Sequence, residues 1–134
     1  MFGFLLDTNI CIYLIKNRPQ KVLERFRQYT PKEIAISSIT VFELEYGIQK
    51  SRYPEQSRKA LSKFLLPLNI VMFDEDAASE SANIRAELEK KGTPIGPFDL
   101  LIAGIARSMD MTLITNNIKE FNRVKKLKLE NWAG

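Results

Sequence analysis

Phe2-Gly3-Phe4-Leu5-Leu6-Asp7 is an apolar run that ends on a carboxylate. The run shows none of the polar alternation of a half-exposed strand, so residues 2–6 are predicted to form a short buried strand. Working outward, the spacing of Ile10, Tyr13 and Leu14 predicts a helix over 8–16, broken by Asn17-Arg18-Pro19. A second amphipathic helix over 20–29 turns Val22, Leu23 and Phe26 inward, and 33–37 resembles a second strand. Ser37 or Ser38 can cap a helix over 39–50. Pro54 can begin another helix, which Pro67 stops.

The second half of the chain repeats the pattern. Residues 69–73 form a third strand, and Asp74 caps a long helix that ends in Lys90-Lys91-Gly92. A loop over 93–97 leads into a helix over 98–109 that is apolar on nearly every side and therefore buried. A fourth strand over 111–115, a helical turn over 118–123 and a short edge strand over 127–130 complete the chain. Strands that alternate with helices predict an α/β sandwich around a parallel sheet. With 134 residues, no linker and no repeat, one domain over 1–134 is expected.

Two further acids sit in apolar surroundings. Glu43 lies between Phe42 and Leu44, and Asp99 precedes Leu100-Leu101-Ile102-Ala103. Buried carboxylates require a cation, a hydrogen-bond network or a shifted pKa. Asp7 and Asp99 have plain structural readings as well. Asp7 can cap the first helix, and Asp99 in a first helical turn suits the helix dipole, worth roughly 0.3–1 kcal/mol. Glu43 has no comparable explanation, because its neighbour Glu45 is the better candidate for an exposed acid.

In open parallel sheets ligands bind beyond the carboxyl ends of the strands. Asp7 ends strand one, Asn116 and Asn117 follow strand four, and helices carry Glu43 and Asp99 toward the same rim. Carboxylate donors without His or Cys suit Mg²⁺ or Mn²⁺ rather than Zn²⁺. The chemistry that follows is metal-assisted displacement at a phosphodiester. The chain contains no histidine, the usual acid–base group of metal-independent ribonucleases. Water, rather than a ribose 2′-hydroxyl, is the expected nucleophile, which leaves 5′-phosphate and 3′-hydroxyl ends. No Gly-rich phosphate loop is present, and the position two residues after Asp7 is Asn9 rather than the second Asp of aspartyl phosphotransferases.

Composition narrows the class without naming it. Hydrophobic residues make up 45% and charged residues 27%, ordinary values for a globular protein. The single cysteine, Cys11, reads as a small buried hydrophobe and suits a reducing cytosol. The first apolar run has no positive charge before it and stops at Asp7, too short for the core of a secretory signal, so none is expected, and residues 64–73, interrupted by Pro67 and Asn69, are too few to span a bilayer. A cytoplasmic protein without membrane contact is expected. The net charge of +4 and pI of about 9.2 permit a polyanionic partner without demanding one.

The segments Leu5-Leu6-Asp7-Thr8-Asn9-Ile10, Ser38-Ile39-Thr40-Val41-Phe42-Glu43-Leu44, Pro94-Ile95-Gly96-Pro97-Phe98-Asp99 and Ile114-Thr115-Asn116-Asn117-Ile118-Lys119-Glu120-Phe121 occur in order. Together they resemble the PIN-domain ribonucleases, specifically the VapC toxins of bacterial type II toxin–antitoxin systems. The resemblance covers essentially the whole chain. It implies a PIN-like three-layer sandwich with a mostly parallel central sheet of four or five strands, and Mg²⁺-dependent endoribonuclease activity with Mn²⁺ as a plausible substitute. Asp7, Glu43 and Asp99 match the family's principal acids. The resemblance implies Asp7 and Asp99 as the best direct metal ligands, with Glu43 either binding metal or positioning water. Thr8 and Asn9 match a polar pair that supports the site.

One position departs from the pattern. Many relatives carry a fourth acid where this chain has Asn117, and Glu120 either replaces it or serves only its own turn. That amide is the one feature favouring a non-catalytic PIN-like module that binds RNA or protein. The resemblance also implies a homodimer, an inhibitory VapB-like antitoxin that covers the acids, and operator DNA bound only through that antitoxin. It implies an RNA substrate, expected to be tRNA, with initiator tRNA cut in the anticodon loop.

Overall fold

The computed structural model describes residues 3–134. Its elements run β1 (Phe4–Leu6), α1 (Thr8–Ile15), α2 (Gln20–Arg27), a 3₁₀ turn (Pro31–Glu33), β2 (Ile34–Ser37), α3 (Ser38–Gln49) and α4 (Pro54–Leu65). There follow β3 (Asn69–Val71), α5 (Glu75–Lys91), α6 (Pro97–Ser108), β4 (Thr112–Ile114), α7 (Ile118–Phe121) and β5 (Lys128–Glu130). Every expected element is present. Phe2, expected in the first strand, lies outside the described residues. The expected helix over 98–109 begins one residue earlier, because Pro97 has no N–H to lose in a first turn.

The sheet has five strands in the order β3-β2-β1-β4-β5, and every pairing is parallel. Phe4 stands opposite Ile34 on one side and Thr112 on the other, and Leu6 opposite Ile36 and Ile114. Successive strand residues face opposite sides. Leu5, Ala35 and Leu113 pack with Ile84 and Leu88 of α5, Ile102 and Ile105 of α6, and Phe121 of α7. Leu6, Ile36 and Ile114 pack instead with Ile10, Leu14, Val22, Leu44, Leu61 and Trp132. Helices therefore cover both faces, which is why β1 carries no polar alternation.

Local chemistry ends the helices where the sequence places stop signals. Ser37 Oγ accepts from Thr40 N at 3.0 Å, and Asp74 Oδ1 accepts from Ala77 N at 2.9 Å. Gly92 closes α5 with φ of 69°, a left-handed conformation that disfavours other residues.

The strand order sets the location of the site. From β1 the chain steps outward to β2 and β3, with α1–α4 on one face. α5 and α6 then carry it back across the other face to β4, on the far side of β1. The direction of winding reverses between β1 and β4, and a crevice opens there at the carboxyl ends.

Candidate active site

Asp7 occupies that crevice. It is only 4% exposed, and its backbone N–H donates to Ile114 O at 2.9 Å, extending the β1–β4 ladder. Oδ1 accepts from Thr8 N at 2.8 Å, so the residue does cap α1. Oδ2 accepts from Thr115 Oγ1 at 2.7 Å, just past the end of β4. Burial raises the Asp7 pKa above its ordinary value, against these two hydrogen bonds, and the charges of Glu43 and Glu120 push it the same way.

Glu43 is placed from α1, although it belongs to α3. Thr8 Oγ1 donates to Glu43 Oε1 at 2.7 Å and lies 3.0 Å from the buried Thr40 Oγ1. Since the Thr8 hydrogen goes to Glu43, Thr40 is the donor in the second contact. Two hydroxyls in series thus hold one carboxylate oxygen. Asn9 is exposed on the first turn of α1, and among the described residues no hydrogen bond draws its side chain into this network.

Asp99 sits in the first turn of α6, facing Glu120 of α7. Gly96 N donates to Glu120 Oε1 at 2.8 Å, and Asn117 Nδ2 donates to Oε2 at 2.7 Å. A Cβ on Gly96 would lie 3.5 Å from Asp99 Oδ2 and 3.7 Å from Glu120 Oε1, which shows how closely both carboxyls press on this turn. Burial, the charge of Asp7 and a hydrogen bond shared with Glu120 push the Asp99 pKa up to about 7. Burial alone would raise Glu120, but donation from Gly96, Asn117 and Asp99 outweighs it and holds Glu120 below its usual value. Asp99 keeps the shared proton and Glu120 the negative charge.

Four carboxyls, Asp7, Glu43, Asp99 and Glu120, therefore feel one another's charge at the sheet edge. Among the described residues none of them forms an ion pair. Arg123 lowers the Glu120 pKa from a distance, with its guanidinium tied to Pro94 O at 2.8 Å. Among the described residues no three acids close around a single point tightly enough to cage an ion. An open arrangement of hard oxygen donors with uncompensated charge fits Mg²⁺, which binds through one or two carboxylates and keeps water and phosphate for its other positions.

The geometry also includes two threonines that the sequence did not single out. Thr115 and Thr40 orient Asp7 and Glu43, and Asn116 Nδ2 donates to Tyr13 Oη at 2.7 Å, tying the loop after β4 to α1. Beside Glu43, a groove of about 490 Å³ is lined by Ile12, Leu44, Gly47, Ile48 and Leu61, with Lys16 also on its wall.

The parallel sheet brings four carboxyls to its carboxyl edge, and the family model that matches residues 4–127 is described as the PIN domain. Over 133 residues the chain is 46% identical to the tRNA(fMet)-specific endonuclease VapC of Shigella flexneri, covering 99% of this chain and 100% of the relative. It is 47% identical over 133 residues to Ribonuclease VapC2 of Haemophilus influenzae, with the same coverage. The crystal structure of DNA-bound VapBC from Salmonella typhimurium superposes with a TM-score of 0.93 at 44% identity, covering 98% of this chain and 99% of that one. The chain belongs to the PIN-domain family and, within it, to the VapC ribonucleases, toxins of VapBC toxin–antitoxin systems.

Proposed function

We propose that this chain, working as one PIN domain over 1–134, is a Mg²⁺-dependent endoribonuclease that hydrolyses tRNA and is silenced by a VapB-like antitoxin. The observation that carries the reading is the set of four carboxyls that feel one another's charge and, among the described residues, form no ion pair. Asp7 and Asp99 would hold the ion, with Glu43 and Glu120 beside them. When bound, Mg²⁺ lowers the pKa of water and offsets the charge that builds on the phosphorus.

The chain's own residues do the rest. Thr115 and Thr8 fix both oxygens of Asp7, so its orientation is set before any ligand arrives. Thr8 holds one oxygen of Glu43 and leaves the other to orient the attacking water. Asp99 must give up its proton to hold a cation, and its neighbour Glu120 is already ionised. Attack by water yields 5′-phosphate and 3′-hydroxyl ends. Glu120 supplies the acid absent at Asn117, which supports catalysis over a non-catalytic module.

The relatives support the choice of substrate and partner. Those from Shigella flexneri and Salmonella typhimurium are tRNA(fMet)-specific endonucleases at 46% and 45% identity, which makes initiator tRNA the first substrate to test. Solved VapBC complexes of similar chains support an antitoxin partner, with operator DNA reached through it. The apolar groove beside Glu43 suits an antitoxin segment that brings an Arg to the carboxylates. A homodimer is the expected assembly. Among the described residues no helix is long and apolar enough to cross a membrane, consistent with a cytoplasmic role.

The test is incubation of the antitoxin-free protein with total tRNA and Mg²⁺, alongside EDTA and Asp7→Asn controls. Discrete cuts lost in both controls are expected. Cutting that survives Asp7→Asn would overturn the assignment.

A further inference from the structure

Cations crowd the end of the chain: Lys119, Arg123, Lys125, Lys126 and Lys128. The fold sorts them. Lys125 pairs with Glu87 at 3.3 Å and Lys128 with Asp110 at 3.0 Å. Lys126 lines a groove with Asp110 and Arg107, near the amino end of β4 and so at the opposite edge of the sheet from the acids. Lys119 lies in α7 and Arg123 two residues past it, on the turn that follows Asn117 at the carboxyl end of β4. Among the described residues neither pairs with a carboxylate. Phe121 and Val124 are buried, which leaves Lys119 and Arg123, four residues apart, exposed on the outer side of the turn.

Arg123 stands close enough to Glu120 to lower its pKa, yet its Nη1 donates to Pro94 O at 2.8 Å. A neutral oxygen holds it, so it does not fill the place of a cation among the acids. A guanidinium carries five N–H donors, and among the described residues this side chain meets no second acceptor. We propose that Arg123 and Lys119 grip phosphates of the RNA strand beside the bond being cut, Arg123 through the free part of its fork and Lys119 as a point charge. The proposal rests on the ribonuclease reading above and adds two residues that hold the strand. Two features favour RNA over an acidic protein segment. The turn carrying the pair also sets Glu120 against Asp99, so it walls the site, and a strand with its scissile phosphate at the acids continues along one wall or another. An inhibitory segment that brings an Arg to the acids would be repelled by a cationic neighbour, whereas a polyanion is drawn to it. Phosphate contacts position a strand and read no bases.

A phosphate contact leaves a signature that a structural role lacks. Each one releases counterions and adds about 0.7 to the slope of log K against log salt for a single strand. The experiment follows binding of a fluorescein-labelled stem-loop RNA to the antitoxin-free protein by anisotropy over a KCl series, with a fixed low level of Ca²⁺ replacing Mg²⁺ to prevent turnover. Wild type is compared with Arg123→Gln, Arg123→Lys, Lys119→Gln, the double Gln variant and Lys126→Gln, which makes the same charge change at the far edge. A polyglutamate peptide serves as a second titrant. KM and kcat are measured in Mg²⁺ on the same RNA, and Mg²⁺ affinity by calorimetry.

Arg123→Gln and Lys119→Gln should each flatten the slope by about 0.7 and raise KM about 10-fold, with kcat within about twofold. The double variant should add the two effects. Arg123→Lys should keep the slope, Lys126→Gln should match wild type, and Mg²⁺ affinity should fall in none of them. Unchanged slopes in both single Gln variants would overturn the proposal. So would equal flattening by Lys126→Gln, which would reduce the effect to net charge. An unchanged slope with weaker Mg²⁺ binding in Arg123→Gln would also overturn it and leave Arg123 as a brace for the loop at Pro94. Polyglutamate that binds as tightly as the RNA, with the same losses, would give the pair to an acidic protein instead. A wild type that binds with the expected slopes but cuts no RNA would sink the catalytic reading and leave the grip standing; no binding by wild type would sink the grip.

Discussion

Thr115 donates its hydroxyl hydrogen to Asp7 Oδ2 at 2.7 Å, a buried bond between residues 108 positions apart. Thr115 Oγ1 in turn accepts from Asn117 N at 3.0 Å, so one hydroxyl joins the end of β1 to the turn after β4. Thr115→Val keeps the shape and removes both bonds. A hydrogen bond to a charged group contributes roughly 1.5–3 kcal/mol, so stability in urea near neutral pH should fall by about 2 kcal/mol. Mg²⁺ affinity, read by calorimetry, should fall about 10-fold to 100-fold because Asp7 loses its fixed orientation. Thr115→Ser should recover most of both. A Val variant with unchanged metal affinity would show that Asp7 needs no such anchor.

Glu120 reaches across 24 residues of sequence to Gly96, at the start of α6, and stands against Asp99 there. Glu120→Gln keeps the size and an acceptor oxygen for Gly96 N, but removes the charge and sets an N–H where Oε2 accepted from Asn117. Single-turnover cleavage at fixed Mg²⁺ should slow about 10-fold to 100-fold. Asn117→Ala removes only one of the two donors to Glu120 and should have the smaller effect. The reverse ranking would assign the role to Asn117 itself.

Most of the fold was legible because its signals are local. Apolar runs, Pro54 and Pro97 in first turns, Ser37 and Asp74 as caps and Gly92 as a stop each act within a few residues. Asp7, Glu43 and Asp99 stood out for the same reason, as charges beside apolar neighbours. Thr40 and Thr115 did not, because a threonine near a strand end is unremarkable until its partner is known. Those partners lie 32 and 108 residues away. Glu120 stayed ambiguous because its role depends on where α7 delivers it against α6, and no local pattern encodes that distance.

The acids also set a pH dependence. Asp99 has a folded pKa of about 7, from burial, the Asp7 charge and the bond with Glu120, well above its unfolded value. The native state therefore binds this proton more tightly than the unfolded chain does. Its contribution to stability is fully present below the unfolded pKa and is lost as pH rises through about 7. Asp7, raised mainly by burial, acts in the same sense. Glu120 is lowered, so its contribution disappears only on acidification below its ordinary value of 4.5. In EDTA the Tm should fall between about pH 5 and about pH 7.5. Mg²⁺ should raise Tm more at the upper pH, where the carboxylates it neutralises are charged. A Tm gain from Mg²⁺ that is equal at both pH values would mean that these acids do not bind it.

Gly104 tests the packing that supports α6, the helix that presents Asp99. A Cβ there would fall 1.9 Å from Ser81 Oγ, 3.0 Å from Ser81 Cβ and 3.1 Å from Ala77 O. The first contact is with a hydroxyl that can rotate or be removed; the others are with the backbone and Cβ of α5, which must move as a unit. Gly104→Ala should therefore cost about 1–3 kcal/mol through overpacking, despite Ala's better helix propensity. Removing the hydroxyl with Ser81→Ala, whose oxygen has no hydrogen-bond partner among the described residues, should be mild alone and should rescue Gly104→Ala only in part. Urea unfolding of the two single variants and the double variant measures the coupling. Full rescue would place the whole conflict on the hydroxyl, and no destabilisation in Gly104→Ala would mean that α5 and α6 separate freely.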